Sequence, residues 1–438
     1  MSGLLGNQIT EADTDRHKSL SIKYSYPVAE TLKMTVKHVL DGIKVLDFTQ
    51  YLAGPTTTRL MAEMGADIIK VEWAPHGDPV RGVGYLKNKR SAYYIQQNRG
   101  KQSLCLDFSK PEAKDIILEL VPHVDIIMEN FSPGVIGRLG LDWETVHATN
   151  PEVIMCSLSA FGQTGPLARL SGFDYIAQAY SGVTSMIGER DGAAYLPMLG
   201  LGDVNTGVHA LAAINAALFH RERGHGGQHL DISLLDAYFH CHEVNVQMYS
   251  ASDGHIEPTR SGQHHFAVAP LGLFQGKTSQ IVIIAMGTQW VNLCKALGQP
   301  DLATDPRFEN LTERVKNRFE LVKIIEEWLA GMPSDEESVR VLEEHRVPVA
   351  PMLTVPQAMN HPHLKERKTV RTVNDRSFGK VEIPGVPLKF SQFPEFLDLQ
   401  APFLGEQNET ILGDVLGYSK DRIADLKATG VLDSRSDH

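Results

Sequence analysis

Between Gly42 and Glu72 the chain passes through a strand, a helix and a second strand, and this spacing constrains its fold more than any other feature. Ile43-Lys44-Val45-Leu46-Asp47-Phe48 is a short apolar run behind Gly42. Thr49–Pro55 reads as a loop, Thr56–Met64 has helical periodicity and stops at Gly65, and Ala66–Glu72 is again strand-like. Two strands separated by a helix cannot close as a hairpin, so they pair in parallel with the helix crossing over one face. The alternation continues through a strand at Ser103–Asp107, a helix at Pro111–Val121, and strands at Val124–Glu129 and Val153–Leu158. The expected fold is α/β, a doubly wound, mostly parallel, Rossmann-like sheet.

Composition beyond residue 250 indicates a second body. Ser250–Pro270 is rich in Gly, His, Ser and Pro and lacks apolar periodicity, as in a linker or active-site loop. Beyond it, apolar Ile281–Met286 and helical patterns at Thr288–Leu297, Asn317–Leu329 and Ser334–His345 precede a strand at Val347–Leu353, which together predict a smaller α+β domain. The expected division is an N-terminal extension over 1–41, partly helical around Val28–Val39. A large α/β domain follows over 42–235, completed by 385–438. A linker and active-site loop cover 236–264, the small domain 265–360 and a return linker 361–384. The net charge of −11 argues against nucleic acid or an anionic membrane as partner. No apolar run reaches the roughly 18 residues that span a bilayer, and acidic residues interrupt any signal-peptide pattern, so a cytoplasmic location is expected. The 4 cysteines, Cys105, Cys156, Cys241 and Cys294, form no CxxC pair, and reduced thiols are expected rather than zinc or disulfides.

Leu199-Gly-Leu-Gly-Asp203-Val-Asn-Thr-Gly207 sets one acid at a glycine-rich turn before a helix. The following stretch to Phe219 is apolar almost all round, which predicts a buried helix. Two readings of Asp203 stay open on local grounds. It is either a helix N-cap or a carboxylate kept approachable, with glycines letting a substrate close on the backbone.

Other candidates are weaker. The first βα loop, Thr49–Pro55, occupies the place of a dinucleotide fingerprint, and Glu72 stands where a ribose ligand would lie, but GxGxxG is missing. A nicotinamide oxidoreductase is kept as a second hypothesis. His76, Asp78 and Arg81, and the pair His264-His265, lack metal-ligand spacing, so no metal is expected. Arg90, Arg99 and Lys101 read either as a solvated face or as a site for a phosphate-bearing ligand. GxSxG and P-loop patterns are absent.

Taken together, the segments resemble the class III CoA-transferase family, which includes formyl-CoA transferase, carnitine CoA-transferases and α-methylacyl-CoA racemase. The matching stretches are Gly42–Phe48 with Ala53-Gly-Pro55, Gly65–Glu72, Gly77-Asp78 with Arg81, and Asn98-Arg-Gly-Lys101. They continue with Glu129-Asn-Phe-Ser-Pro-Gly134 and Arg138-Leu-Gly140, then Phe161-Gly-Gln-Thr-Gly-Pro166 and Gly172-Phe-Asp-Tyr-Ile-Ala-Gln178. Last come Gly202-Asp203 with Asn205-Thr-Gly207, and Gly227-Gln228 with Asp231–Ala237. A weaker match reaches Leu404-Gly-Glu-Gln-Asn408. Motifs in this order favour the functional reading of Asp203.

The resemblance implies an aspartyl nucleophile at Asp203, an acyl-CoA thioester and a carboxylic acid as substrates, no permanently bound cofactor, and an interlocked homodimer. It places CoA against Ala53, Leu106, Asn130, Phe131 and Arg138, with Lys101 nearby to offset phosphate charge. The chain departs from formyl-CoA transferase at Leu52, where that enzyme has glutamine, and at Trp73, where it has arginine. Ser261-Gly262-Gln263-His264-His265 replaces its glycine loop. Leu52, Trp73, Phe173, Asp174, Gly262 and Gln263 are therefore the expected substrate-pocket residues, and the pocket mouth is more apolar. The racemase branch carries histidine at the position of Phe173, whose ring cannot move a proton, so transferase is favoured over epimerase. A non-catalytic CoA-binding protein is a third alternative.

Overall fold

The computed structural model describes residues 36–435. Of the stretch expected to be partly helical, residues 28–35 lie outside these, and Val36–Val39 is not helical.

Six strands form one sheet: β1 (Lys44–Asp47), β2 (Asp67–Trp73), β3 (Lys101–Leu106), β4 (Ile126–Glu129), β5 (Ile154–Ser159) and β6 (His229–Ser233). Every pairing is parallel and the order is β3-β2-β1-β4-β5-β6. The order reverses between β1 and β4, which opens a crevice beyond their carboxyl ends, where ligands of open α/β sheets bind.

Successive strand residues feed opposite cores, as the twofold pleat requires. Leu46, Ile69, Leu104, Ile127 and Met155 pack with α2 (Pro111–Leu120) and with the C-terminal helix α9 (Lys420–Ala428). Val45, Ile68, Ile126, Ile154 and Cys156 pack on the other face with α1 (Ala53–Glu63) and α4 (Leu201–His220). Helix α1 begins three residues before the expected Thr56, because Pro55 falls in a first turn whose N–H groups have no intrahelical acceptor. Helices α1 and α4 cross at Gly207, where an added Cβ would stand 2.6 Å from the Ala53 carbonyl oxygen. Thr57 Oγ1 donates to the Gly207 carbonyl at 2.9 Å across this crossing.

The expectation that α4 is buried all round is corrected. Its buried residues, Gly202, Thr206, Gly207, Ala210, Leu211, Ile214, Ala217 and Leu218, lie at steps of one, three and four on one face. Leu201, Val204, Val208 and Phe219 are exposed on the other.

A separate core lies further along the chain. Strands β7 (Leu271–Gln275), β8 (Gln280–Ile284) and β9 (Val349–Pro351) form an antiparallel sheet ordered β9-β8-β7. Phe274, Ile281, Ile283 and Trp290 pack there with Leu321, Ile325 and Leu342 from α7 (Arg318–Gly331) and α8 (Asp335–Glu344). The stretch 361–384 is more ordered than a linker, since it carries the hairpin β10 (Val370–Asp375) and β11 (Gly379–Pro384). No helix among the described residues is long and apolar enough to cross a membrane.

Candidate active site

A cavity of about 270 Å³ opens at the reversal point, walled by Gln50–Ala53 after β1, Asn130–Ser132 after β4 and Ser159-Ala160 at the end of β5. Gly172, Phe173 and Asp203 complete its far side.

A buried charge cluster sets the β1 loop. Asp47 Oδ1 accepts the Thr49 N–H at 2.9 Å, and Lys70 Nζ donates to the Thr49 carbonyl at 2.7 Å. Lys70 and Lys101 pair with Asp78 and Asp47 at 2.9 and 3.0 Å. Burial alone would raise the Asp47 carboxyl, but Lys101, Lys70 and Thr49 outweigh it and hold it at about 2. Asp78 Oδ1 accepts the N–H of Tyr51, which has φ +65°, the left-handed conformation that turns the chain into α1. The Asn130 amide then exchanges two hydrogen bonds of 2.8 Å with the backbone of Gln50, which ties the β4 loop to the β1 loop.

Asp203 is in the first turn of α4, whose N-cap is Gly200, so it is not the cap. Among the described residues its carboxylate has no hydrogen-bond partner. A helix N-terminus favours a charged acid. Burial and then the neighbouring Asp174 carboxylate nevertheless push Asp203 up to about 7. Asp174 Oδ2 accepts the Asp203 N–H at 3.2 Å, and the Tyr238 hydroxyl donates to Asp174 Oδ1. That hydroxyl also accepts the Gly202 N–H at 3.0 Å and a Gln178 amide N–H at 3.2 Å. A Cβ at Gly202 would run into the Tyr238 ring, so glycine lets the turn approach it.

Among the sequence-predicted site residues, Leu52, Ala53, Asn130, Phe131, Phe173 and Asp203 meet in this cavity. Asp174 stands behind Asp203 rather than in the wall. Trp73 packs beside the cavity, its ring 5.6 Å from Phe131 and 5.7 Å from Phe108, with a buried indole N–H that has no partner. Leu106 points into the core with no exposed surface, so its side chain meets no ligand in this conformation. Arg138 is exposed and forms no ion pair among the described residues. Gly262 and Gln263 do not line the cavity. They run beside β7, where the Gln263 carbonyl accepts the Leu273 N–H at 2.9 Å.

The expected basic stretch does not offer charge to a phosphate. Arg90, Arg99 and Lys101 are all buried and paired with Asp375, Glu63 and Asp47. Burial of a charge requires such a partner. Glu72 likewise pairs with Arg81 at 2.6 Å and is not free for a ribose. Cys105, Cys156 and Cys294 are buried free thiols raised by burial, and Cys241 is exposed. No group of three or more His, Cys, Asp or Glu among the described residues is placed to hold a metal.

Tyr51, Tyr93 and Tyr238 were not singled out from sequence. Burial and the charges of Asp203 and Asp78 raise the half-buried Tyr93 phenol to about 12. Tyr238 directly follows the Asp231–Ala237 motif, the one local signal that could have found it.

A family model described as CoA-transferase family III matches residues 40–408. The succinyl-CoA–D-citramalate CoA-transferase of Chloroflexus aurantiacus is 34% identical over 396 residues, covering 90% of this chain and 98% of that one. The succinyl-CoA:mesaconate CoA-transferase of Haloarcula hispanica is 35% identical, with 88% and 98% covered. The crystal structure of a CAIB/BAIF family protein from Brucella suis superposes with a TM-score of 0.75 at 31% identity, covering 86% of this chain and 99% of that chain. With a family model matching most of its length and relatives this similar along nearly all of theirs, the chain belongs to CoA-transferase family III and is an enzyme of that family.

Proposed function

We propose that this enzyme moves CoA from an acyl-CoA thioester to a carboxylic acid with Asp203 as nucleophile. The observation that carries the reading is an approachable carboxylate, free of hydrogen bonds among the described residues, at the wall of a cavity formed where the sheet order reverses.

An Asp203 oxygen attacks the thioester carbonyl, the C–S bond breaks, and the CoA thiolate leaves an acyl–aspartyl anhydride. The thiolate attacks the aspartyl carbonyl and expels the donor acid as its carboxylate. The acceptor carboxylate then attacks this aspartyl thioester and releases thiolate again. Attack of that thiolate on the acceptor carbonyl yields the new thioester and regenerates Asp203. Each leaving group is a stabilised anion, and covalent storage of the thioester's energy removes any need for ATP.

Ala53, Asn130 and Phe131 are the proposed CoA contacts in the wall, with the exposed Arg138, in no ion pair among the described residues, meeting phosphate. Leu52, Phe173 and Trp73 shape the remainder, and Asp174 positions Asp203. Residues 265–360 form a separate smaller domain in this reading. The working unit is an interlocked homodimer, which would cover the exposed apolar face of α4.

Incubation with acyl-CoA and hydroxylamine tests the reading, since the activated Asp203 carbonyl should become a hydroxamate. Mass spectrometry of the peptide spanning Leu199–Gly207 is expected to show it. Labelling of a different acid with Asp203 unmodified moves the nucleophile elsewhere.

A further inference from the structure

We infer that Glu129 is a positioning residue for CoA, acting through Phe131, whose backbone it holds so that the Asn130-Phe131 turn keeps its place in the cavity wall. The inference rests on the CoA-transferase reading above and goes beyond it by assigning a role to a group behind the wall.

Glu129 is the last residue of β4, and the chain enters the cavity wall directly after it. Its Oε2 accepts the Phe131 N–H at 2.8 Å, a bond that folds the side chain over the end of the strand. Asn130, between the two, turns its amide to the backbone of Gln50. The turn is therefore held from two sides, by Asn130 toward the β1 loop and by Glu129 toward β5.

The carboxylate is itself oriented. Glu129 pairs in register with Ser157 of β5, so both side chains leave the same face of the sheet. The Ser157 hydroxyl donates to Glu129, and its oxygen lies 3.0 Å from Nε2 of His229 on β6, whose ring stacks on Trp143. Glu129 and Ser157 are 2% and 1% exposed within one chain, so their contacts stand whether or not a second copy is bound.

Burial pushes the Glu129 carboxyl up to about 7, against both of its hydrogen bonds, and Asp231 on β6 adds to the rise. An apolar side chain of similar length would fill this place without the cost of burying an acid. It could not accept the Phe131 N–H, and a buried N–H without an acceptor favours a rearranged turn. The Phe131 ring, 5.6 Å from that of Trp73 beside the cavity, would move with its backbone.

Two uncharged variants of similar length test this. Glu129→Gln keeps an acceptor oxygen for the Phe131 N–H, and Glu129→Met removes it. With the purified full chain, calorimetry should show the Kd of free CoA raised at least about tenfold in Glu129→Met and less than about threefold in Glu129→Gln. In transfer from succinyl-CoA and from butyryl-CoA, KM should follow that pattern while kcat stays within about threefold of wild type. A role confined to the fold would lower the thermal midpoint of Glu129→Met and leave CoA affinity unchanged. That outcome in the folded variant, or an equal rise of Kd in both variants, overturns the inference. If Glu129→Met does not fold, Ser157→Ala decides, because it keeps Glu129 and removes the hydroxyl that orients it. Its Kd for CoA should rise at least about threefold, and an unchanged value overturns the inference. Hydroxylamine labelling of wild-type Asp203 separates the two readings. Labelling together with unchanged CoA affinity in Glu129→Met overturns the role of Glu129 alone. A wild-type chain that neither binds CoA nor forms the hydroxamate sinks the transferase reading, and this inference with it.

Discussion

Asp174 Oδ2 accepts the backbone N–H of Asp203 at 3.2 Å, which brings the carboxyl-bearing side chain of one residue against the first helical turn that carries the other. The contact anchors the turn and places a like charge beside the proposed nucleophile. Tyr238 completes the support by donating to the other Asp174 oxygen while accepting from Gly202. The proposed nucleophile is thus held through its backbone, and among the described residues its own oxygens stay unbonded.

Replacing Asp203 with Asn or Ala should lower CoA transfer at least about a thousandfold, a loss of at least ~4 kcal/mol of transition-state stabilisation. The fold should survive, because among the described residues the carboxylate makes no hydrogen bond that the variants would break. Steady-state kinetics with thermal unfolding checks both parts, and residual activity above one part in about a thousand excludes Asp203 as nucleophile.

The pH profile should report a raised carboxyl. With Asp203 titrating at about 7 in the free enzyme, kcat/KM should rise close to tenfold per unit below pH 7 and level above it. Asp174→Asn should move the midpoint down part of the way, because burial is the larger cause and Asp174 the smaller. A midpoint unmoved in that variant removes Asp174 as a contributor.

Stability carries the same signature with a defined sign. A carboxyl raised from 3.8 to about 7 binds its proton more tightly in the folded state. The stability it contributes is fully present below the unfolded value and is lost as pH rises through about 7. Asp203→Asn lacks this loss, so in urea titrations the difference between variant and wild type should widen between pH 4 and pH 8. A constant difference contradicts it.

Tyr238→Phe should cost about 1–3 kcal/mol, since it strips partners from Asp174, Gly202 and Gln178 inside the fold. Denaturant unfolding measures it, and a change below about 0.5 kcal/mol would mean the three groups find other partners.

A 2-methylacyl-CoA in deuterated water separates transfer from epimerisation. Phe173 fills the position where the racemase branch places a histidine, so enzyme-dependent α-deuteration should not occur. Rapid exchange by the unmodified chain would favour epimerisation.

The chain's local periodicity determined much of the fold. Strands at Ile43, Ala66, Val124 and Val153 and helices at Pro111 and Ser334 were legible because apolar spacing is a property of neighbouring residues. Motif order singled out Asp203, and six of the predicted site residues line one cavity. Pairing between distant segments was not legible. Spacing could not reveal that β1 and β4 are adjacent, although their adjacency creates the cavity. Nor could it show that Arg99 and Lys101 are enclosed with Glu63 and Asp47, or that α4 buries only one face. Charge burial and carboxylate proximity depend on which distant elements pack together, so tertiary structure alone decided that Arg90, Arg99 and Lys101 are unavailable to a phosphate and that Asp203 stands beside Asp174.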